Sequence, residues 1–353
     1  MRTRTLWLGP LLLAIVLALA APAAADKAAA GAGAGAGKSY VFRFATVAPD
    51  GSEWAKSFKA MNKELETATH GRLKVKIYYG AIAGGELESW QRLERGQVDG
   101  VLSGGMLCER VMPSMKVLRI PGLFQSREES FYVTHELEET LAAEAKKAGL
   151  VLMGTSGVGP DIIFSSKPLR TLEEIKKARL WAWDLDVTAS AVKKEMGWNT
   201  VPTRLEDAAR AFDDGKLDGF YAIPSAALVF QWYTQVHYIL DLRGGYLVGC
   251  TVVSSRAFDA LPLDLQKALR LAQNGLVHRF ENLNRRLDRK LLGGLFQRQG
   301  LQIMQASETT RAEYFAAARA ARERLGSKLV SRELMERVIK LLADYRAEHA
   351  PEP

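Results

Sequence analysis

The 353-residue sequence has only two cysteines, Cys108 and Cys250, and five histidines, His70, His135, His237, His278 and His349. None has the spacing of a metal-ligand set, which speaks against a structural zinc site. The cysteines lie far apart in apolar surroundings. A disulfide in an oxidising compartment and two buried thiols both stay open. A Gly-x-Ser-x-Gly elbow is missing: Gly154-Thr155-Ser156-Gly157 lacks its last glycine in the right place. Gly37-Lys38-Ser39 is not a phosphate loop, because position 32 is alanine and no strand precedes it. Long basic blocks are absent too. The formal charge of +8 is scattered among acids on helical faces, which excludes a nucleic-acid surface as the reading. Asp99 and Asp218 are the obvious paired acids, and their place in turns is sufficient for both. No enzyme is expected, and no cofactor.

One apolar run does exist, at the start. Arg2 and Arg4 precede Leu11 to Ala20, and Ala23-Ala24-Ala25 follows as a small-residue cleavage site. This is the pattern of a signal peptide over residues 1–25, too short and wrongly flanked for a membrane span. Its removal lowers the formal charge from +8 to +6 and places the chain in the periplasm. Residues 26–38 are an Ala/Gly-rich linker.

The remainder alternates strands and helices. "YVFRFATV" (40–47) is strand-like, and Ser52 can cap a helix running to about residue 69. "RLKVKIYYG" (72–80) alternates as a half-buried strand does, and a helix follows at 86–95. "LVLMGTSG" (150–157) and "DIIFSS" (161–166) read as two further strands. Thr171 and Glu174 make a capping box for a helix over 171–177. "RLWAW" is a strand, with helices at about 187–196 and 204–214. From Leu263 to about Gln299 the pattern is one long helix, and 307–349 holds two charged helices.

A phrase recurs: Gly96…Asp99-Gly100 and Gly215…Asp218-Gly219. Each follows a helix and enters an apolar strand. The first glycine suits the left-handed residue that ends a helix, and Asp-Gly suits a tight turn. Two such corners in two strand–helix–strand series suggest two lobes built alike. Ligands of such sheets lie outside the carboxyl ends of strands. Aromatic residues gather there. Trp181 and Trp183 share one strand face, Phe220 and Tyr221 follow Gly219, and Phe230, Trp232 and Tyr233 come soon after. Trp54 lies past the first turn. Core packing is the default for any one of them, whereas together they make an apolar pocket. The candidate ligand-binding residues are Trp181, Trp183, Phe220, Tyr221, Trp54, Met106, Phe230 and Trp232.

"FRFATVAPDGSEWAKSFKAM", "GGELESWQRLERGQVDGV", "RIPGLFQSREES", "KPLRTLEEIKKARLWAW", "ARAFDDGKLDGFYAIP" and "GYLVGCTVVSSRAFDALPLDLQKAL" stand in this order between about 40 and 300. The chain thereby resembles the solute-binding subunit of TRAP transporters, the DctP-like family. The resemblance implies an α/β, two-lobed periplasmic binding protein, with a central mixed sheet in each lobe and a long helix bracing both. Lobe I is expected at 39–158 and 247–286, and lobe II at 159–246 and 287–353 with the C-terminal helices. It also implies ligand capture in the inter-lobe cleft, closure, and delivery to TRAP-type membrane permease subunits.

Two departures from the family pattern point the same way. Trp181 matches the position where the family places an arginine that pairs with the ligand's carboxylate, and Ile223 stands before Pro224 where the family has asparagine. An indole offers one hydrogen bond and no charge. The expected ligand is therefore apolar or amphipathic, lipid-like rather than a small carboxylate, its affinity drawn from buried apolar area. Some relatives with hydrophobic clefts work with a TPR-repeat periplasmic partner, and analogy extends that partner to this chain. Two alternatives stay open. One is a carboxylate read by another arginine, with Arg43, Arg119 and Arg127 as candidates. The other is a lipid-shuttling or sensor-linked binding protein without transport.

Overall fold

The computed structural model describes residues 38–349. The expected signal peptide at 1–25 and the linker at 26–38, Lys38 apart, lie outside the described residues. The strands are β1 (Tyr40–Thr46), β2 (Leu73–Tyr79), β3 (Gly100–Ser103), β4 (Leu150–Ser165), β5 (Leu180–Trp183), β6 (Thr200–Thr203), β7 (Gly219–Ala222), β8 (Tyr238–Ser254) and β9 (Gln302–Gln305). They form one mixed sheet in the order β2-β1-β3-β8-β4-β7-β5-β6, with β9 also on β8.

The two long strands explain how one sheet serves two halves. The end of β8 (250–254) pairs with the start of β4 and with β3, while its start (238–240) pairs with the end of β4 and with β9. β2, β1 and β3 are mutually parallel in the first half, and β6, β5 and β7 in the second. The strands expected at 150–157 and 161–166 are thus one strand. Register shifts at Leu152/Gly154, Gly157/Gly159 and Asp161/Ile163 absorb the irregularity that the glycines and Pro160 impose. The helix expected at 204–214 starts later, at Ala208, after a short 3-10 turn at Leu205–Asp207, and "NTVPT" supplies β6.

Several local signals act as their chemistry requires. Ser52 accepts from Ala55 N at the start of the helix Glu53–Ala68, and Thr171 with Glu174 closes a capping box. Gly96 and Gly215 adopt φ of 68° and 65°, where a Cβ would be strained. The helix Leu263–Lys290 spans about 42 Å at 1.5 Å per residue. Leu265, Leu269 and Leu276 pack with Phe42, Phe44 and Phe58 in the first half. Leu287, Leu291 and Phe296, on the helix and its continuation, pack with Phe164 and Phe220 in the second. The helix therefore braces both halves. No helix of the described residues is long and apolar enough to cross a membrane.

Candidate ligand-binding cleft

A cavity of about 150 Å³ opens where the carboxyl ends of β1, β3, β5 and β7 meet the middles of β4 and β8, under the long helix. Parallel strands end there on unpaired backbone, so side chains from several loops converge on one space. Thr46, Ser103, Trp183 and Ala222 close the four strands, and Val277, Phe280 and Asn284 reach down from the helix.

Seven of the eight residues expected from sequence line this cavity: Trp54, Met106, Trp181, Trp183, Tyr221, Phe230 and Trp232. Phe220 does not. It is fully buried behind Trp232, stacked on Phe164 with centroids 4.5 Å apart, and belongs to the core. Depth along the strand decides this: Ala222, two residues on and on the same face, lines the cavity, while Phe220 lies deeper and is covered by Trp232. Trp181 and Trp232 meet edge-on at 4.8 Å, and Phe230 stacks on Trp232 at 5.4 Å. Trp54 donates from Nε1 to Asn284 Oδ1 (3.0 Å), and Asn284 Nδ2 donates to Gly157 O (2.9 Å), which fixes that indole across the cavity. Trp181 differs. It is only 4% exposed, and its Nε1 has no partner. A buried N–H without an acceptor is costly, so this one is available to whatever enters.

The three arginines weighed as carboxylate readers separate cleanly. Arg43 lies outside the cavity wall and is bound bidentately to Asp99 through Nε and Nη2, both at 2.9 Å. Arg127 lies outside it as well and pairs with Asp288. Arg119 does line the cavity, but it is already occupied. Nη1 donates to Asp161 Oδ2 (2.8 Å) and Nη2 to Asp186 Oδ2 (2.5 Å). All three are at least nine-tenths buried. Burial works against charge in this cluster, but the acids outweigh it at Arg119, whose pKa is held up. At Asp186, Arg119 and Lys193 outweigh it and hold the carboxyl below its usual range.

Asp161 and Asp186 escaped the sequence reading. Asp186 stands just before the helix expected at about 187–196 and caps it, accepting from Ala189 N. Nothing local marks it as the partner of an arginine 67 residues away. Close by, Glu109 accepts from Thr188 Oγ1 at 2.7 Å. In a neighbouring hollow beside Trp183 and Leu205, Arg204 donates to Glu88 across the two halves at 3.0 Å. Cys108 and Cys250, left open by the sequence, form a disulfide with Cα atoms 6.0 Å apart, and Cys250 sits in the cavity wall. Among the described residues no group of His, Cys, Asp and Glu could hold a metal.

The family model described as bacterial extracellular solute-binding protein, family 7, matches residues 44–328. A solute-binding protein of Chromohalobacter salexigens is 21% identical over 166 residues, 46% of this chain and 49% of that protein. The chain thus spans about half the length of that relative. A protein of Haemophilus influenzae is 23% identical over 268 residues, 76% of this chain and 81% of its own length. Among solved structures, a Bordetella pertussis extracytoplasmic solute receptor binding pyroglutamic acid superposes with a TM-score of 0.79 at 20% identity, covering 86% of this chain and all of that one. The sugar acid binding protein of Advenella mimigardefordensis in complex with galactonate gives 0.81 at 18% identity, with 87% of this chain and 99% of that one covered.

Proposed function

We propose a function from the premise that this chain belongs to the bacterial extracellular solute-binding proteins, family 7: it is a TRAP-type periplasmic receptor for an apolar or amphipathic ligand. The lobes are read as 39–158 with 247–286 and 159–246 with 287–353, with the ligand between them. Strand pairing supports this division as far as Gln305, whereas the last helix, Arg332–Glu348, packs back on Glu129, Glu136 and Thr140 of the first lobe. Capture in the cleft and delivery to TRAP-type permease subunits complete the reading, together with the TPR-repeat partner that the resemblance suggests. The observation that carries the apolar ligand is the cavity wall itself. Trp54, Met106, Trp181, Phe230, Trp232, Val277 and Phe280 line it, and its one arginine is spent on two acids of the chain. Burial of ligand carbon there contributes about 25 cal/mol per Å² without any ion pair. The unpaired Trp181 Nε1 asks for a single acceptor atom, which makes the ligand amphipathic rather than wholly hydrocarbon.

The relatives of known structure named above bind pyroglutamic acid and galactonate, so a small carboxylate is the competing reading. Native and denaturing mass spectrometry of the purified receptor separates them. A co-purified lipid-like molecule is the expected result. A small carboxylate recovered at one per chain overturns the apolar reading.

A further inference from the structure

The wall of the cavity holds a guanidinium that has been answered from inside the protein. From this we infer that Asp186 is a specificity determinant: it fills the carboxylate position on Arg119, so the cleft takes a ligand with a neutral, hydrogen-bond-accepting head and rejects an anionic one. The inference deepens the proposed function and rests on it only for the neutral probe below.

The geometry is specific about which donors of Arg119 are taken. Nε and Nη2 form the side-on edge that grips a carboxylate with two parallel bonds. Asp186 takes Nη2 at 2.5 Å and Asp161 takes Nη1 at 2.8 Å, while Nε has no partner. Arg119 Nε and Trp181 Nε1 are the two buried, unpartnered donors that the described residues place in this wall. A carbonyl, amide or ester oxygen can accept from them. A ligand carboxylate would have to displace Asp186 or lie beside two carboxylates in a site shielded from water, where like charges repel strongly.

Charge counting agrees. Arg119 faces Asp161 and Asp186, and Lys193, itself buried, lies 4.8 Å above the ring of Tyr221. The group carries no net positive charge whether or not Lys193 keeps its proton. Glu109 is the one further acid, and burial and the Asp186 charge push its carboxyl up to about 8, so it is protonated at neutral pH. Neutralising Asp186 alone would remove one of the two causes that keep this proton on Glu109, so the test neutralises both.

The decisive variant is therefore Glu109→Gln with Asp186→Asn. Asparagine keeps the helix cap and the shape, and glutamine copies a protonated Glu109. The probes are octanoate and octanamide, alike in size and differing in charge, titrated calorimetrically at pH 7 into the full chain, with circular dichroism as the check on folding. Wild type is expected to bind octanamide at least about tenfold more tightly than octanoate, and E109Q/D186N to reverse the order. Adding Arg119→Gln should abolish the gained octanoate binding. Equal or preferred octanoate binding by wild type overturns the inference, and this holds even if the variant fails to fold. So does a folded E109Q/D186N that gains no octanoate affinity, or a gain that survives R119Q. Wild type that binds neither probe, with octanoate gained by E109Q/D186N, overturns the apolar reading and leaves the inference standing.

Discussion

The corner at residues 96–100 and the corner at 215–219 are the same piece of structure made twice. In the first, Arg43 donates from Nε and Nη2 to Asp99 and from Nη2 to Gly96 O, and Asp99 also receives Arg43 N. In the second, Arg179 donates from Nε and Nη2 to Asp218 and from Nη1 to Gly215 O, and Asp218 receives Arg179 N. The strands that leave these corners then do different things. β3 ends in Ser103 and Gly104, held by the buried carboxylate of Glu86. β7 ends in Ala222 and Ile223, beside Trp181, Phe230 and Trp232. The scaffold is repeated while the lining is not, so the second half brings most of the aromatic wall and the first half brings the arginine.

The largest expected effect lies outside the repeated corner. Only the first half carries a cross-link, Cys108–Cys250, closing a separation of 142 residues. Replacing both cysteines by serine should lower stability by about 2–5 kcal/mol, read as a matching fall in the denaturation midpoint, and a reductant should do the same to wild type. The two corners can be compared directly. Asp99→Ala removes an acceptor whose side chain is 13% exposed and should cost about 1–3 kcal/mol. Asp218→Ala should cost less, because Asp218 and its arginine are the more exposed pair at 22% and 44%. Equal losses in urea titrations would show that the corners are equivalent in energy as well as in form.

How much of this was legible in the chain follows from range. The corners were readable because glycine, aspartate and the helix before them lie within five residues. The aromatic wall was readable because strand ends are where parallel sheets open. Phe220 was misplaced because it lies one pleat deeper than the strand end, under Trp232, and the sequence does not say how far a cavity reaches down a strand. Asp161 and Asp186 were invisible as arginine partners because Arg119 lies 42 and 67 residues away and nothing local marks the pairing. The single strand over 150–165 hid behind its own glycines, which mark bulges as readily as they mark ends.

Acids in the two settings should also respond to pH with opposite sign. Hydrogen bonds from Arg179 hold Asp218 below the usual carboxylate range, so the stability it contributes is present above that range and lost as pH falls. Glu109 is the reverse. It faces Asp186, Arg119, Lys116 and Thr188, and burial with Asp186 pushes it up to about 8. The stability tied to its proton is complete below the usual carboxyl range and lost as pH rises through about 8. Melting temperatures of wild type should fall relative to Glu109→Gln between about pH 5 and 8, and parallel curves would remove Glu109 from the cluster.

The smallest effect compares two indoles that line the same cavity. Trp54 has its Nε1 satisfied by Asn284, and Trp181 does not. Trp54→Phe therefore strands an acceptor on the long helix and should lower the melting temperature. Trp181→Phe removes a donor that the protein never paired, so stability should hold while most of the ring still packs on Trp232. What it should lose is affinity, by about 3- to 10-fold, the worth of one neutral hydrogen bond of ~1 kcal/mol. Calorimetry with octanamide reads this. Unchanged affinity in Trp181→Phe would place the ligand's polar head away from Trp181 and leave Arg119 Nε as the donor that receives it.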